Sequence, residues 1–345
     1  MRNFIFACLG SLGLIFCCCE DEKTSLTDDE SKIILTASDS CINTLLTTSC
    51  INVTTERINA LRMMQDDFNI CSAKYFGDYM VALEKSAASY EKYDPSLKYY
   101  KKAFDKVLKE IDTTSVAQGG VILWNLYNMG YVIKTPSSCF AIDLRHKYAV
   151  YLEPYLDFLM ITHKHSDHYS TELIDAMVKN NKPVITNYLA KNIYTSTIPT
   201  TYTFTFVNKN TIRITTNIND HNTTLINFVT TFQINCGADA GNCIIMHTGD
   251  SSFNPSQYNV IQDVNVFITR YAPNGNENNI LGSIVKPDCA IVSHIDELSH
   301  TDESASRWSF QSGLERCKQL QKYCPCYMPV WGEKMVWTAK TGLTK

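Results

Sequence analysis

The residues most able to do chemistry lie in one run, Thr162-His163-Lys164-His165-Ser166-Asp167-His168. Three imidazoles and a carboxylate fall within six consecutive positions of a 345-residue chain that has only 8 histidines. Imidazole nitrogens and carboxylate oxygens bind zinc at about 2.0–2.2 Å. A regular helix or strand cannot aim four side chains at this spacing toward one point, whereas a loop at a strand end can. The apolar run from Leu156 to Ile161 stops at the cluster, so the pattern predicts a metal-binding loop carried on a strand. Further candidates follow along the chain. They are His221 in Asn219-Asp220-His221, Asp250 in Thr248-Gly249-Asp250, His294 after the apolar run Asp288 to Ser293, and then Glu297 and His300.

His163-x-His165-x-Asp167-His168 after an apolar strand resembles the signature of the metallo-β-lactamase fold, and the resemblance extends over roughly residues 120–340. An early strand ending in Asp143 and a later one ending in Gly249-Asp250 stand in the family's order. The resemblance implies an α/β (α+β), four-layer αββα sandwich. It implies that His163, His165 and His221 hold one metal, that Asp167 and His168 begin a second site, and that Asp250 bridges the two. The implied cofactor is a divalent metal, expected as two zinc ions, with iron or manganese also compatible. The implied chemistry is hydrolysis by a metal-bound hydroxide, with Asp167 as the catalytic residue that orients the water or takes its proton. The chain departs from the family at the last ligand, because Pro329-Val330-Trp331-Gly332-Glu333 contains no histidine. His294 is the expected replacement, with Glu297 or His300 as an alternative ligand or a supporting residue; without a ligand from this segment the site would hold one metal. The short gap from the cluster to His221 looks more like the lactonase and phosphodiesterase branches, so the expected substrate is a small molecule, a phosphodiester or a lactone or ester.

The elements that must position these residues are read from periodicity. Residues 36–115 carry helical spacing, clearest over Ala82–Tyr93 and Leu97–Ile111, with Pro95 between. Nothing there has metal-ligand spacing, and a packing or cover role is expected. From about residue 118 strands dominate: Val121–Lys134, Ser138–Leu144, Val184–Thr186, alternating segments over 200–235, Cys243–His247, Val264–Ile268, Cys289–Val292, Tyr327–Val330 and Met335–Trp337. Thr171–Asn180 and Ser304–Tyr323 read as helices. No internal repeat of fixed period is visible. His247 is expected to pack or to orient a ligand, and His146 to sit on the surface. Trp124, Tyr127, Trp331 and Trp337 are expected in the core, with pocket lining as the alternative.

The chain starts with Arg2, an apolar run from Phe4 to Phe16, then Cys17-Cys18-Cys19 and an acidic stretch. This is similar to a bacterial lipoprotein signal, with lipidation fitting Cys18 or Cys19 better than Cys17, whose preceding residue, Phe16, is large. An ordinary cleaved signal or an N-terminal anchor is the alternative. The expected organisation is a signal over 1–19, a tether and helical region over 20–117, and the metallo-β-lactamase-like domain over 118–345. Export would place the protein in the periplasm or on the outer membrane or cell surface, attached to the membrane through lipid, and would permit disulfides. Cys236 and Cys243 could meet across a turn as a disulfide or stay buried thiols, and Cys324-Pro-Cys326 reads as structural. A net charge of −4 and no basic run argue against nucleic acid as a partner and against a nuclease. A binding protein that captures a ligand or metal without turnover is the alternative from another functional class.

Overall fold

A computed structural model describes residues 39–71, 75–190, 192–195, 198–259, 263–300 and 306–345. The signal with Cys18 and Cys19, the tether and the first residues of the expected Ser304 helix lie outside these. Residues 39–47 are helical and form α1. Then come α2 (Thr55–Cys71), α3 (Phe76–Val81), α4 (Glu84–Tyr93) and α5 (Pro95–Thr113). The strands begin with β1 (Gly120–Tyr127), β2 (Gly130–Lys134), β3 (Cys139–Ile142) and β4 (Phe158–Met160), followed by α6 (Thr171–Lys179). Next are β5 (Val184–Thr186), β6 (Ile193–Tyr194), β7 (Thr200–Thr205), β8 (Thr211–Asn219), β9 (Val229–Asn235) and β10 (Ile244–His247). The chain ends with β11 (Val266–Arg270), β12 (Cys289–Ser293), α7 (Phe310–Leu320), β13 (Cys326–Tyr327), β14 (Glu333–Thr338) and β15 (Gly342–Thr344).

The strands form two mixed sheets, β15-β14-β1-β2-β3-β4-β5-β6 and β13-β12-β11-β10-β9-β8-β7. In the first, β14-β1-β2-β3 are antiparallel and β3-β4-β5-β6 parallel. In the second, β7-β8-β9-β10 are antiparallel and β10-β11-β12-β13 parallel. Leaving β15 aside, the sheets match strand for strand. This repeat lies in the pairing pattern, and the residues themselves carry no period.

The inner strands, such as β1, β3, β4, β10 and β12, are buried on both faces, which explains their near-continuous apolar character, whereas the edge strand β7 alternates half-buried with exposed residues. Val121, Leu123, Tyr131, Ile133, Phe140 and Phe158 meet Ile214, Phe232, Ile245, Ile268 and Ile291 between the sheets. Their alternates, among them Ile122, Trp124, Leu159, Met246, Phe267 and Val292, join the outer core with the helices. α5 and α6 pack on the first sheet and α7 on the second, giving the four layers that the resemblance implies.

The N-terminal helices belong to this packing. Asp94 caps α5 by accepting from the Ser96 and Leu97 amides at 2.9 and 3.3 Å, with Pro95 in its first turn. Leu97, Tyr100, Phe104, Val107 and Ile111 fall on one buried face. Trp124 Nε1 donates to Glu110 Oε2 at 2.7 Å, and Lys134 Nζ closes the helix end on the Ile111 and Thr114 carbonyls at 2.7 and 2.8 Å. A buried ion pair, Arg57 to Glu333 at 2.7 Å, ties α2 to β14.

Several expectations are corrected. The run Val121–Lys134 is a hairpin, β1 and β2, turning at Asn128 and Met129, where Asn128 takes φ 51. Asparagine tolerates that left-handed conformation better than most residues, and the apolar runs on either side of Asn128-Met129-Gly130 hid so short a turn. The strand expected over Tyr327–Val330 is only Cys326–Tyr327, and β15 was not foreseen. Cys236 and Cys243 are buried free thiols on facing positions at the β9–β10 end, where the Cys236 amide donates to the Cys243 carbonyl at 2.9 Å. Trp124, Tyr127, Trp331 and Trp337 are all in the core.

His146 is buried, not superficial. Its ring stacks between Tyr100 (centroids 3.7 Å apart) and Phe104 (4.6 Å). Its Nε2 lies 3.1 Å from the Tyr100 carbonyl, to which it donates, and its Nδ1 accepts from the Tyr148 amide at 3.2 Å. Both nitrogens are thus satisfied in the neutral form, and burial holds the pKa well below that of a free imidazole. The unfolded chain takes up a proton there below about pH 6.5, and the native ring does not. Stability should therefore fall as pH drops through that value. In urea unfolding between pH 7 and 5, His146→Phe should show a shallower loss than the wild type, by up to about 1.4 kcal/mol per pH unit. Equal slopes would show that this ring binds the same number of protons in the folded and the unfolded chain.

Candidate metal centre

The predicted residues gather at one end of the sandwich, outside the carboxyl ends of the strands. Asp143 follows β3, the histidine cluster follows β4, His221 follows β8, Asp250 follows β10 and His294 follows β12. The matched pairing of the sheets brings these ends together. Two groups result, each with its donor atoms within 4.8 Å of one another: His163, His165 and His221, and Asp167, His168, Asp250 and His294. All seven sequence candidates for metal ligation are thus assembled. One Asp250 oxygen faces both groups, with Oδ2 3.7 Å from His221 Nε2, 3.5 Å from His168 Nε2 and 3.3 Å from His294 Nε2. His294 Nε2 also lies 3.3 Å from Asp167 Oδ2.

Behind the two groups stands Asp143, fully buried. Its Oδ1 accepts from the Thr162 amide at 2.8 Å, and its Oδ2 accepts from Thr162 Oγ1 at 2.7 Å and from His168 Nδ1 at 2.8 Å. Because the Thr162 hydroxyl gives its proton to Asp143, its lone pair accepts from His163 Nδ1, 2.9 Å away. Both Nδ1 atoms therefore carry protons, so Nε2 is in each ring the atom turned to the site, bare in His163 and, in His168, bare whenever the ring is neutral. These Nε2 atoms and Asp250 Oδ1 are buried and find no hydrogen-bond partner among the described residues. Lone pairs left without donors beside two carboxylates fit divalent cations.

Gly249 sits against the same relay. Its φ is 50, and a β-carbon there would come within 2.7 Å of the Thr162 side chain. His247 holds this turn: its Nδ1 accepts from the Gly249 amide at 3.2 Å and its Nε2 donates to the Met129 carbonyl at 2.9 Å. It orients the Asp250 loop and stands outside both metal-binding groups.

The electrostatics follow from crowding. Burial raises the Asp167 pKa, but His168 and then His294 outweigh it and hold the carboxyl well below the usual range. Burial likewise opposes ionisation of Asp250, and His294 and His168 overcome it. In return the carboxylates lift His168 well above its ordinary value and His294 to about 10, both against burial. Burial, then neighbouring His168, pushes His163 well below.

Glu297 and His300 do not join either group. Glu297 accepts from Tyr127 OH at 2.7 Å and from the Ser299 and His300 amides at 3.0 Å each, and pairs with His300 Nδ1 at 2.8 Å. These contacts fold the loop after His294. Sequence reasoning assigned no role to Thr162 or Asn128; Thr162 could have been sought inside the motif, whereas Asn128 gave no signal. His165 and His221 are half-buried while the other five ligand candidates are buried, so the centre opens on the side of the first group. Phe228 walls that side, its ring centroid 4.8 Å from His165 and 5.5 Å from His163.

Among solved structures, the chain is similar to Igni18, a novel metallo hydrolase from the archaeon Ignicoccus hospitalis, at 12% identity over 63% of this chain and 98% of that one, with a TM-score of 0.46. It is also similar to CmlA, a diiron β-hydroxylase from Streptomyces venezuelae, at 12% identity over 65% and 55%, with a TM-score of 0.46. Yeast PDE1 is a third, at 10% identity over 63% and 99%, with a TM-score of 0.40. No family model and no curated protein matches the chain.

The relay makes a direct prediction. Asp143→Asn keeps the size of the side chain but sets an amide against Thr162 Oγ1 or His168 Nδ1, removing the acceptor that fixes both histidines. Zinc affinity, measured by competition with a chromophoric chelator, should fall about 10–100-fold. Unchanged affinity would show that the histidines hold their orientation without the carboxylate.

Proposed function

We propose that the protein is a hydrolase dependent on two divalent metal ions, acting on a small phosphodiester, lactone or ester. The observation that carries this reading is the Asp250 carboxylate, whose single oxygen faces His221 of one group and His168 and His294 of the other. His163, His165 and His221 would hold one ion, and Asp167, His168 and His294 the other, with Asp250 shared. Such a nitrogen and oxygen donor set suits zinc, and also iron or manganese. Divalent ions bound there would supply Lewis-acid chemistry, lowering the pKa of a water and polarising the bond to be cleaved.

The chain's own residues supply the rest. Asp167, held ionised by its histidine neighbours, is the group able to accept a hydrogen bond from a water and orient it. Asp143 and Thr162 keep the His163 and His168 lone pairs aimed inward. Phe228 offers an apolar surface beside the half-exposed histidines, where a non-reacting part of a substrate can lie. The same proposal includes export and attachment to a membrane through lipid on Cys18 or Cys19, in the periplasm or at the cell surface. The apolar N-terminal run and the cysteines that close it support this.

Elemental analysis of the purified protein tests the reading. About two zinc, iron or manganese ions per chain are expected, with loss or halving in His165→Ala. Hydrolysis of phosphodiesters or lactones should be lost in step. One ion per chain would remove the second site and the role given to His294. No stoichiometric metal after reconstitution would sink the enzyme and leave a binding protein.

A further inference from the structure

The β1–β2 turn touches three loops of the centre at once. Tyr127 OH donates to Glu297 Oε1 at 2.7 Å and accepts from the Leu298 amide at 2.6 Å, holding the loop after His294. The Met129 carbonyl accepts from His247 Nε2 at 2.9 Å, holding the turn that carries Asp250. Between them, Asn128 Nδ2 donates to Asp167 Oδ2 at 3.0 Å and lies 3.3 Å from the Asp167 carbonyl. Both acceptors are oxygens without a proton to give, so the amide nitrogen, not its oxygen, must face Asp167.

The ordinary reason for asparagine at such a turn is its tolerance of left-handed φ, and a turn residue of that kind normally faces solvent. Asn128 is 2% exposed instead, and its Oδ1 is buried with no hydrogen-bond partner among the described residues. The residue lines a small cavity with Asn125, Ser293 and Trp331. Leaving a buried amide oxygen unsatisfied is destabilising. Turn geometry alone does not account for that arrangement, whereas the bond to Asp167 does.

We infer that Asn128 is a positioning residue. It holds the Asp167 carboxylate in the orientation that the second metal-binding group requires. The inference rests on the two-ion reading above. It assigns Asn128 an effect on one of the two ions only, because the residue's side chain hydrogen-bonds to Asp167, a member of the second group.

The test is calorimetric titration of the metal-free full chain with zinc alone, which resolves two binding steps. Asn128→Gly keeps the left-handed turn and removes the donor; Asn128→Ala keeps a β-carbon. Both should weaken the second step about 10–100-fold and leave the first within about threefold. In an Asp167→Ala background, Asn128→Gly should produce no further change, because its effect runs through the carboxylate. An unaltered second step, a loss confined to the glycine variant, equal weakening of both steps, or a full additional loss in the Asp167→Ala background would each overturn the assignment. A wild type that binds no zinc would overturn the two-ion reading and this inference together. A wild type that binds two ions, with both Asn128 variants indistinguishable from it, would overturn only the role of Asn128.

Discussion

The buried carboxylate of Asp143 accepts from the Thr162 amide, the Thr162 hydroxyl and His168 Nδ1, and the rest of the centre depends on that one point of attachment. It binds the end of β3 to the end of β4 and selects the tautomer of His163 as well as of His168. A fully buried anion is costly unless its lone pairs are filled by donors. Here each donor is also a part of the histidine loop, so satisfying the anion and shaping the loop are the same event. The left-handed Gly249 follows from it, since only a residue without a side chain lets the Asp250 turn approach Thr162.

The sheets explain how chain segments far apart in sequence reach this carboxylate. Each passes from antiparallel to parallel pairing at its middle, at β3 in one and β10 in the other. Parallel strands send all their carboxyl ends in one direction, and loops at that end need not stay within the ladder. Asp143 and Asp250 therefore follow equivalent strands of the two sheets, Asp250 within the centre and Asp143 behind it on His168 Nδ1. Interlocking apolar rows such as Phe140 and Phe158 against Phe232 and Ile245 keep the sheets in register. A shift of one residue would turn each strand's inward row outward and separate the two aspartates.

How much of this could be read from the chain alone depended on where each signal lies. The histidine cluster was legible because its residue types are rare and its spacing is local. His221, Asp250 and His294 were legible as polar residues closing apolar runs, although only the folded sheets bring them within bonding distance. His146 was misread because Leu144-Arg145-His146 looks solvated; the ring is buried by Tyr100 and Phe104, some forty residues earlier in a helix. The β1–β2 hairpin was missed because its short Asn128-Met129-Gly130 turn lies between two apolar runs that read together as one long strand. The role of Asn128 is decided by a partner 39 residues away and leaves no local trace.

The same geometry links stability to ligand binding. Asp167 and Asp250 stay ionised only through His168 and His294, and those histidines carry protons only through the carboxylates. Each pair is desolvated, and breaking either side leaves a buried charge with no partner. A divalent cation would displace those protons, opening the Nε2 lone pairs of His168 and His294, and would take up the His163 lone pair that no donor among the described residues reaches. Binding it would therefore stabilise the fold by the free energy of binding, as for any ligand that prefers the native state. That coupling gives a physical reason for three separate loops to be stapled by one turn, Tyr127-Asn128-Met129. A site built from five strand ends keeps its donors in place only if the loops cannot drift independently, and the turn removes that freedom before any ion arrives.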